Sequence, residues 1–286
     1  TSRQILVFTE NSLHSVQFIG PPFTFGTAIL GTNIRIAGPN TAIAVNDLVF
    51  WMGQENFYVY DGRINPIPCS VRQYVFDDIN RNQSFKFFAG SLSSNSEVWW
   101  YYCSQNSDEV DRYVIYNYLE KTWYYGTLAR TAWNDRASGS RLFPQAPGTD
   151  GVLYNHENGL DDGSVNPPVA VNAFVQSADF DIGDGQQFML INRVIPDLNF
   201  SDSDAAAPQV TFTMGARNYN GSAAGQGSVN GDVVRSSVIS GTDNYTDQVQ
   251  MRLRGRQVNL KVESNTTGVN WRLGAPRLDA RPDGRR

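Results

Sequence analysis

Two histidines, two cysteines and a scatter of acids are what this chain of 286 residues offers to chemistry. His156-Glu157 lacks the second histidine that a zinc-protease helix needs, and no helix is expected there. His14 and His156 each lie on or beside a strand pattern, and both are read as hairpin histidines satisfied by backbone or solvent. Asp179, Asp181 and Asp184 in DFDIGDG could converge on calcium if a turn brought their oxygens within about 2.3 to 2.6 Å of it. The bidentate glutamate that completes such a loop is missing, since position 190 is Leu190, so a plain hairpin turn is expected. Asp77-Asp78 and Asp161-Asp162 could serve glycoside hydrolysis, which needs two carboxylates about 5 to 9.5 Å apart. Neighbouring acids on an extended chain point in opposite directions, so neither pair qualifies by itself. Cys69 and Cys103 match no metal-site spacing and cannot build a disulfide framework, and both are expected to pack as small apolar groups.

The other chemistry-bearing motifs are absent. There is no G-x-S-x-G nucleophile elbow, and no Ser-x-Asp-x-Gly-x-x-Trp box of sialidase-type propellers. Gly225, Gly227 and Gly231 in GQGSVNG have the wrong spacing for a phosphate-cradling loop and read as flexible loop. The expectation is therefore no catalytic residue, no cofactor and no metal, and a chain that is not an enzyme. What remains is aromatic: Trp99-Trp100-Tyr101-Tyr102 and Trp123-Tyr124-Tyr125 could stack sugars or bases. Alternation sends half of each cluster inward as packing and leaves half for a surface or a subunit contact.

The elements that must position these residues are strands. Aromatics make up 12% of the chain and hydrophobic residues 41%, with only three lysines and turn formers throughout. That composition suits pleated, half-buried surfaces, and no long stretch has helical periodicity. No apolar run is long enough for a membrane helix. LVFWMGQENFYVYDGR reads as strand Leu48–Met52, a break, strand Phe57–Tyr60 and a closing Asp61-Gly62. Related hairpins start at residues 5, 97 and 151, spaced by roughly the 40 to 50 residues of a propeller blade. Between them an edge strand is expected at Asn33–Ile36, a helical turn at Asp77–Asn82, a strand holding Phe85, Phe87 and Phe88, and a loop over RASGSRLFPQAPGTDG. Residues 1–163 thus read as a β-propeller-like domain that opens inside the blade pattern, as one lacking N-terminal blades would. Leu160–Val169, with its acids and two prolines, reads as a linker. Residues 164–286 read as a β-sandwich, with strands around the Gly183-Asp184-Gly185 turn and at Val210–Met214, a loop over about 219–241, and an Arg-rich end.

Charge is uneven. Residues 251–286 hold nine basic side chains against three acids, net +6, which leaves −11 on the first 250 residues of a chain whose formal charge is −5. A basic end can meet nucleic acid or an acidic neighbour, but without a reading motif it is a weak signal.

The run from FWMGQENFYVYDG through YVIYNYLEKTWYYGTLARTAW to LYNHENGLD, and the ending RLRGRQVNLKVES with WRLGAPRLDARPDGRR, resemble the tail hub or nozzle (packaged-DNA stabilisation) proteins of short-tailed bacteriophages. The resemblance implies a structural virion protein of the phage tail. Its copies would form a homo-oligomeric ring of about six below the portal and adaptor and beside tail fibre or spike proteins. Such a ring retains packaged double-stranded DNA and conducts it through its lumen, and needs no membrane-spanning segment. The competing reading is a carbohydrate-binding or carbohydrate-cleaving β-propeller acting in receptor recognition, which needs exposed aromatics beside convergent acids in one pocket.

Overall fold

A computed structural model describes residues 1, 4–136, 142–219, 222, 233–241 and 248–285. They are nearly all β, in multiple antiparallel sheets. Two compact units emerge, Thr1–Asn158 and Gly159–Arg286, so the division falls a few residues before the expected 163/164. The expected linker is the reason: Asp161–Asp162 pairs with Val169–Ala170 as a small hairpin of the second unit, and the Gly268 N–H donates to both Asp161 carboxylate oxygens at 2.9 and 3.0 Å.

In the first unit Ile5–Phe8 (β1), Ser12–Gly20 (β2) and Thr24–Thr32 (β3) form a three-stranded antiparallel meander. Ala42–Val45 (β4), Leu48–Met52 (β5), Phe57–Tyr60 (β6) and Ile64–Ile67 (β7) form a four-stranded meander, and Phe88–Leu92 (β8), Glu97–Tyr102 (β9), Arg112–Asn117 (β10) and Thr122–Thr127 (β11) form another. Gln145–Pro147 (β12) pairs with Leu153–Asn155 (β13). The β4–β5 turn has positive φ at both Asn46 and Asp47, the two-residue geometry that matches strand twist.

Three sequence expectations shift here. Asn33–Ile36 is no strand; it makes one bridge, Ile36 to Gly53, because Asn33 turns to φ 60° and ends the extended run. The helical turn falls on either side of its expected place, as an α-helix at Arg72–Asp77 (α1) and a 3-10 segment at Arg81–Lys86 that takes in Phe85. Within the expected loop, residues 137–141 lie outside the described residues, yet Gln145–Pro147 is strand.

In the second unit the hairpin just described supplies β14 and β15. Ala173–Gln176 (β16), Phe180–Asp181 (β17), Met189–Ile195 (β18), Leu198–Asn199 (β19), Gln209–Arg217 (β20), Val233–Ser240 (β21), Val249–Gly255 (β22), Gln257–Ser264 (β23), Arg272–Leu273 (β24) and Arg277–Pro282 (β25) follow. One sheet runs β16-β23-β20-β21 with β17 also on β23, another runs β22-β18-β25, and β19 pairs with β24. Val210, Phe212, Met214, Val258, Leu260 and Val262 of the first sheet share one buried cluster with Met189, Ile191, Val194, Met251 and Leu253 of the second. Strand β21 lies inside the stretch expected as loop, where VVRSSVIS holds eight register pairs on β20. The Gly183-Asp184-Gly185 turn is not a hairpin: β17 before it pairs with β23, while β18 after it pairs with β22 and β25. It carries the chain from one sheet to the other, with all three residues at positive φ.

Candidate functional site

Several of the residues singled out for chemistry are taken up locally. Asp179 pairs with Arg217 and accepts a 2.9 Å hydrogen bond from Asn259, and no cluster of three potential metal ligands occurs among the described residues. Asp78 meets Arg112 at 3.3 Å, Asp161 holds the Gly268 N–H, and Asp162 accepts the Ser164 N–H. Cys69 and Cys103 are free thiols, and burial pushes both up to about 11, well away from the thiolate that a nucleophile requires. His14 pairs with the Ser12 hydroxyl at 2.8 Å.

His156 departs from its expected satisfaction by backbone or solvent. Arg130 Nε donates to its Nε2 at 2.9 Å, its own N–H donates to the Pro144 carbonyl, and its ring packs 5.1 Å from Trp133. Burial first and the Arg130 charge second hold it down to about 4, so the ring is a neutral acceptor. Glu97 moves the other way: burial raises it, against a hydrogen bond from Trp99 Nε1 at 3.1 Å, and the Glu157 charge raises it further.

The aromatic clusters are packing elements. Strands β5 and β6 are apolar on both faces because both faces are covered. Val49, Trp51 and Tyr60 pack with Leu13 of the β1–β3 sheet, and Phe50, Met52 and Phe57 pack with the β8–β11 sheet. The expectation that half of Trp99-Trp100-Tyr101-Tyr102 reaches a surface is overturned, since all four are buried. Trp100 packs against Phe57 and Trp123, at ring distances of 4.9 and 6.2 Å, while Trp99 and Tyr101 meet Trp133 on the opposite face. The indole N–H groups fasten neighbouring sheets: Trp100 donates to the Thr41 carbonyl at 3.0 Å, Trp123 to Pro68 and Trp133 to Ser91, each at 2.8 Å. Gly90 makes room for this, because a Cβ there would stand 2.5 Å from the Trp133 ring. Tyr124 and Tyr125, by contrast, are exposed. A cavity of about 90 Å³ lined by Gln54, Arg81, Ser84 and Phe87 is well below the 300 to 1,000 Å³ of ordinary ligand pockets.

Part of the basic end is likewise built in. Arg254 and Arg256 lie over the Phe188 ring at 3.8 and 4.6 Å. Arg254 also pairs with Asp283, and Arg256 donates to the Gln186 and Arg285 carbonyls at 2.9 Å. These arginines serve the fold of the second unit rather than standing ready for phosphate.

The surface that sequence reasoning missed is on the first sheet. Phe8 and Leu13, and Leu6 and Ser15, are cross-strand partners facing the β4–β7 sheet. The opposite face carries Ile5 beside Val16, Val7 beside His14 and Ile29, and Phe18 beside Phe25. Ile5 and Ile29 are each 64% exposed, and Val7, Phe18 and Phe25 are exposed too. The face has the chemistry of a covered one and is left to solvent. A signal existed in the sequence: no formal charge occurs from Asn11 to Ile34.

No family model matches the chain, and no curated protein matches it. Among solved structures it is similar to an exo-β-1,3-galactanase from Phanerochaete chrysosporium with galactose, at 12% identity over 94% of this chain and 75% of that one, with a TM-score of 0.23. A variant of that enzyme with β-1,3-galactotriose gives 13% identity, 94% and 74% coverage and a TM-score of 0.25. Likeness this loose assigns no activity.

Proposed function

We propose that the chain is a structural, non-enzymatic subunit of a bacteriophage short tail, a hub or nozzle component. It multiplies into a ring that retains packaged DNA and conducts it during ejection. In this reading the first unit is a β-propeller-like stack of blades and the second a β-sandwich. The observation that carries the reading is the uncovered outer face of the β1–β3 sheet. Inside the first unit an apolar sheet face is covered by another antiparallel sheet, and Ile5, Val7, Val16 and Ile29 present the same surface for a further sheet from a second copy. The pairing of Asp78, Asp161, Asp162, Asp179 and both histidines with local partners supports a role in shape rather than turnover. The net charge of −11 on residues 1–250 suits a wall that phosphate slides past, whereas dense arginine would hold it through counterion release. The resemblance of its aromatic hairpins and Arg-rich ending to tail hub proteins suggests the biological setting.

The test is the mass of the purified chain in solution. A closed oligomer of about six copies is expected, and Ile5→Asp with Ile29→Asp is expected to reduce it to monomer while the near-ultraviolet signal of the buried tryptophans persists. A wild-type chain that stays monomeric at all concentrations, or that binds or cleaves a glycan at a saturable site, overturns the reading in favour of receptor recognition.

A further inference from the structure

The β2–β3 hairpin carries an observation that sheet-on-sheet contact does not use. Beyond Val16 both strands leave the core, and every residue from Gln17 to Ile29 except Gly20 and Gly26 is exposed. The tip is apolar on both sides. Phe18 and Phe25 meet edge to face at 6.0 Å on one side, Ile19 turns to the other and lies over Gly26, and Phe23 stands at the turn beside Pro21 and Pro22. Phe18 is 70% exposed and Phe23 75%. At about 3.3 Å per residue, the step from Gln17 to Gly20 carries the tip roughly 13 Å past the last covered positions.

A neighbouring sheet covers one face of such a hairpin and leaves the other in water. A hydrocarbon medium covers both faces and the end at once, and demands no matching shape. It also demands that no charge be dragged in, and the nearest formal charges along the chain are Glu10 and Arg35. We propose that the tip Phe18–Phe25 inserts into the interfacial layer of a lipid bilayer, with its rings at the boundary between headgroups and acyl chains. The roughly 13 Å projection is long enough to carry the rings to the roughly 5 to 10 Å depth at which interfacial apolar elements lie. The hairpin does not span; it anchors. Because the tip carries no charge, its binding is indifferent to anionic lipid and to salt, unlike adhesion through the arginines of residues 251–285.

This inference stands apart from the ring reading, and the experiment keeps them separate. The whole chain is floated with vesicles of phosphatidylcholine alone and of phosphatidylcholine mixed with phosphatidylglycerol, at low and high salt, and its mass is measured without lipid. Equal flotation with both vesicle types, unchanged by salt, is expected. Phe18→Ser with Phe23→Ser, at exposed positions that leave the buried tryptophan signal intact, is expected to lower the bound fraction about tenfold or more. Phe23→Leu, which stays apolar, is expected to retain binding. No flotation, flotation stripped by salt, or flotation unaffected by the double serine variant overturns the proposal. So does a double variant that changes only the mass of the lipid-free assembly, since the tip would then seat on a second copy. A monomer that floats keeps this inference and removes the ring.

Discussion

The β4–β7 sheet and the β1–β3 sheet are made of the same kinds of residue and meet different surroundings. In the first, Phe50 and Trp51 are neighbours in sequence and are buried in different cores, one on each side. In the second, Leu6 and Phe8 face a core while Ile5 and Val7 alternate with them into solvent. A strand apolar on both faces therefore states what it requires and leaves open who supplies it. Two covers are present for the first sheet and one for the second. The missing cover is where a partner is sought.

The largest effect that sharpens this contrast is expected from Trp100→Ala. The side chain is fully buried, packs against Phe57 and Trp123, and donates to the Thr41 carbonyl. Its loss opens a cavity and orphans a carbonyl, costing about 3 to 5 kcal/mol in denaturant unfolding followed by near-ultraviolet circular dichroism. Phe25→Ala in the same assay on monomeric protein is expected to stay within about 0.5 kcal/mol, because the ring is already in water. A comparable cost at both positions would break the comparison, since the outer face would then be covered within a single copy.

A middle effect comes from His156 at the far end of the stack, beside Trp133. Its folded value of about 4 lies below the ordinary 6.5, so the unfolded chain takes up a proton first as pH falls. The stabilisation from the neutral ring is full above about pH 6.5 and is lost as pH descends toward 4, on the order of 3 kcal/mol in total. His156→Gln is expected to flatten that window in a series of unfolding midpoints against pH. An unchanged slope would mean that the ring is open to protons in the folded state, and so that this covered face is wetter than its packing suggests.

Much of the strand pattern was legible because two physical rules act locally. Leu48–Met52 and Phe57–Tyr60 were bounded to the residue by β-rich runs meeting turn formers. Alternation then misled at Trp99 to Tyr102, because a period of two reports which side a residue faces and says nothing of whether that side is covered. The turn at Gly183–Gly185 was read as a turn correctly and as a hairpin wrongly: positive φ is a local demand, whereas the pairing of β17 and β18 with different sheets is decided by distant residues. Strand β21 was hidden for the opposite reason, since its serines and single arginine resemble the polar, Gly-rich sequence before it, and only the ladder on β20 fixes it. Of the candidate site, the absence of charge from residue 11 to 34 was readable; its placement on one face and at a projecting tip needed the register.

The smallest effect tests how dry a covered face is. Tyr101 is fully buried between Phe88, Trp99 and Trp133, and its hydroxyl has no hydrogen-bond partner among the described residues. Burial accordingly drives its ionisation well above the ordinary range. A phenol placed there gains the packing of its ring and forfeits the hydration of its oxygen. Tyr101→Phe keeps the first and removes the second, so it is expected to leave stability unchanged or raise it by up to about 1 kcal/mol. Tyr60 supplies the control, because its hydroxyl pairs with Gln4; Tyr60→Phe is expected to cost about 0.5 to 1 kcal/mol. If Tyr101→Phe instead destabilises by more than its control, water or a neighbour satisfies that hydroxyl. The face between β8–β11 and Trp133 would then be hydrated as the outer face of β1–β3 is, and the distinction between a covered and an uncovered sheet would rest on Trp100 alone.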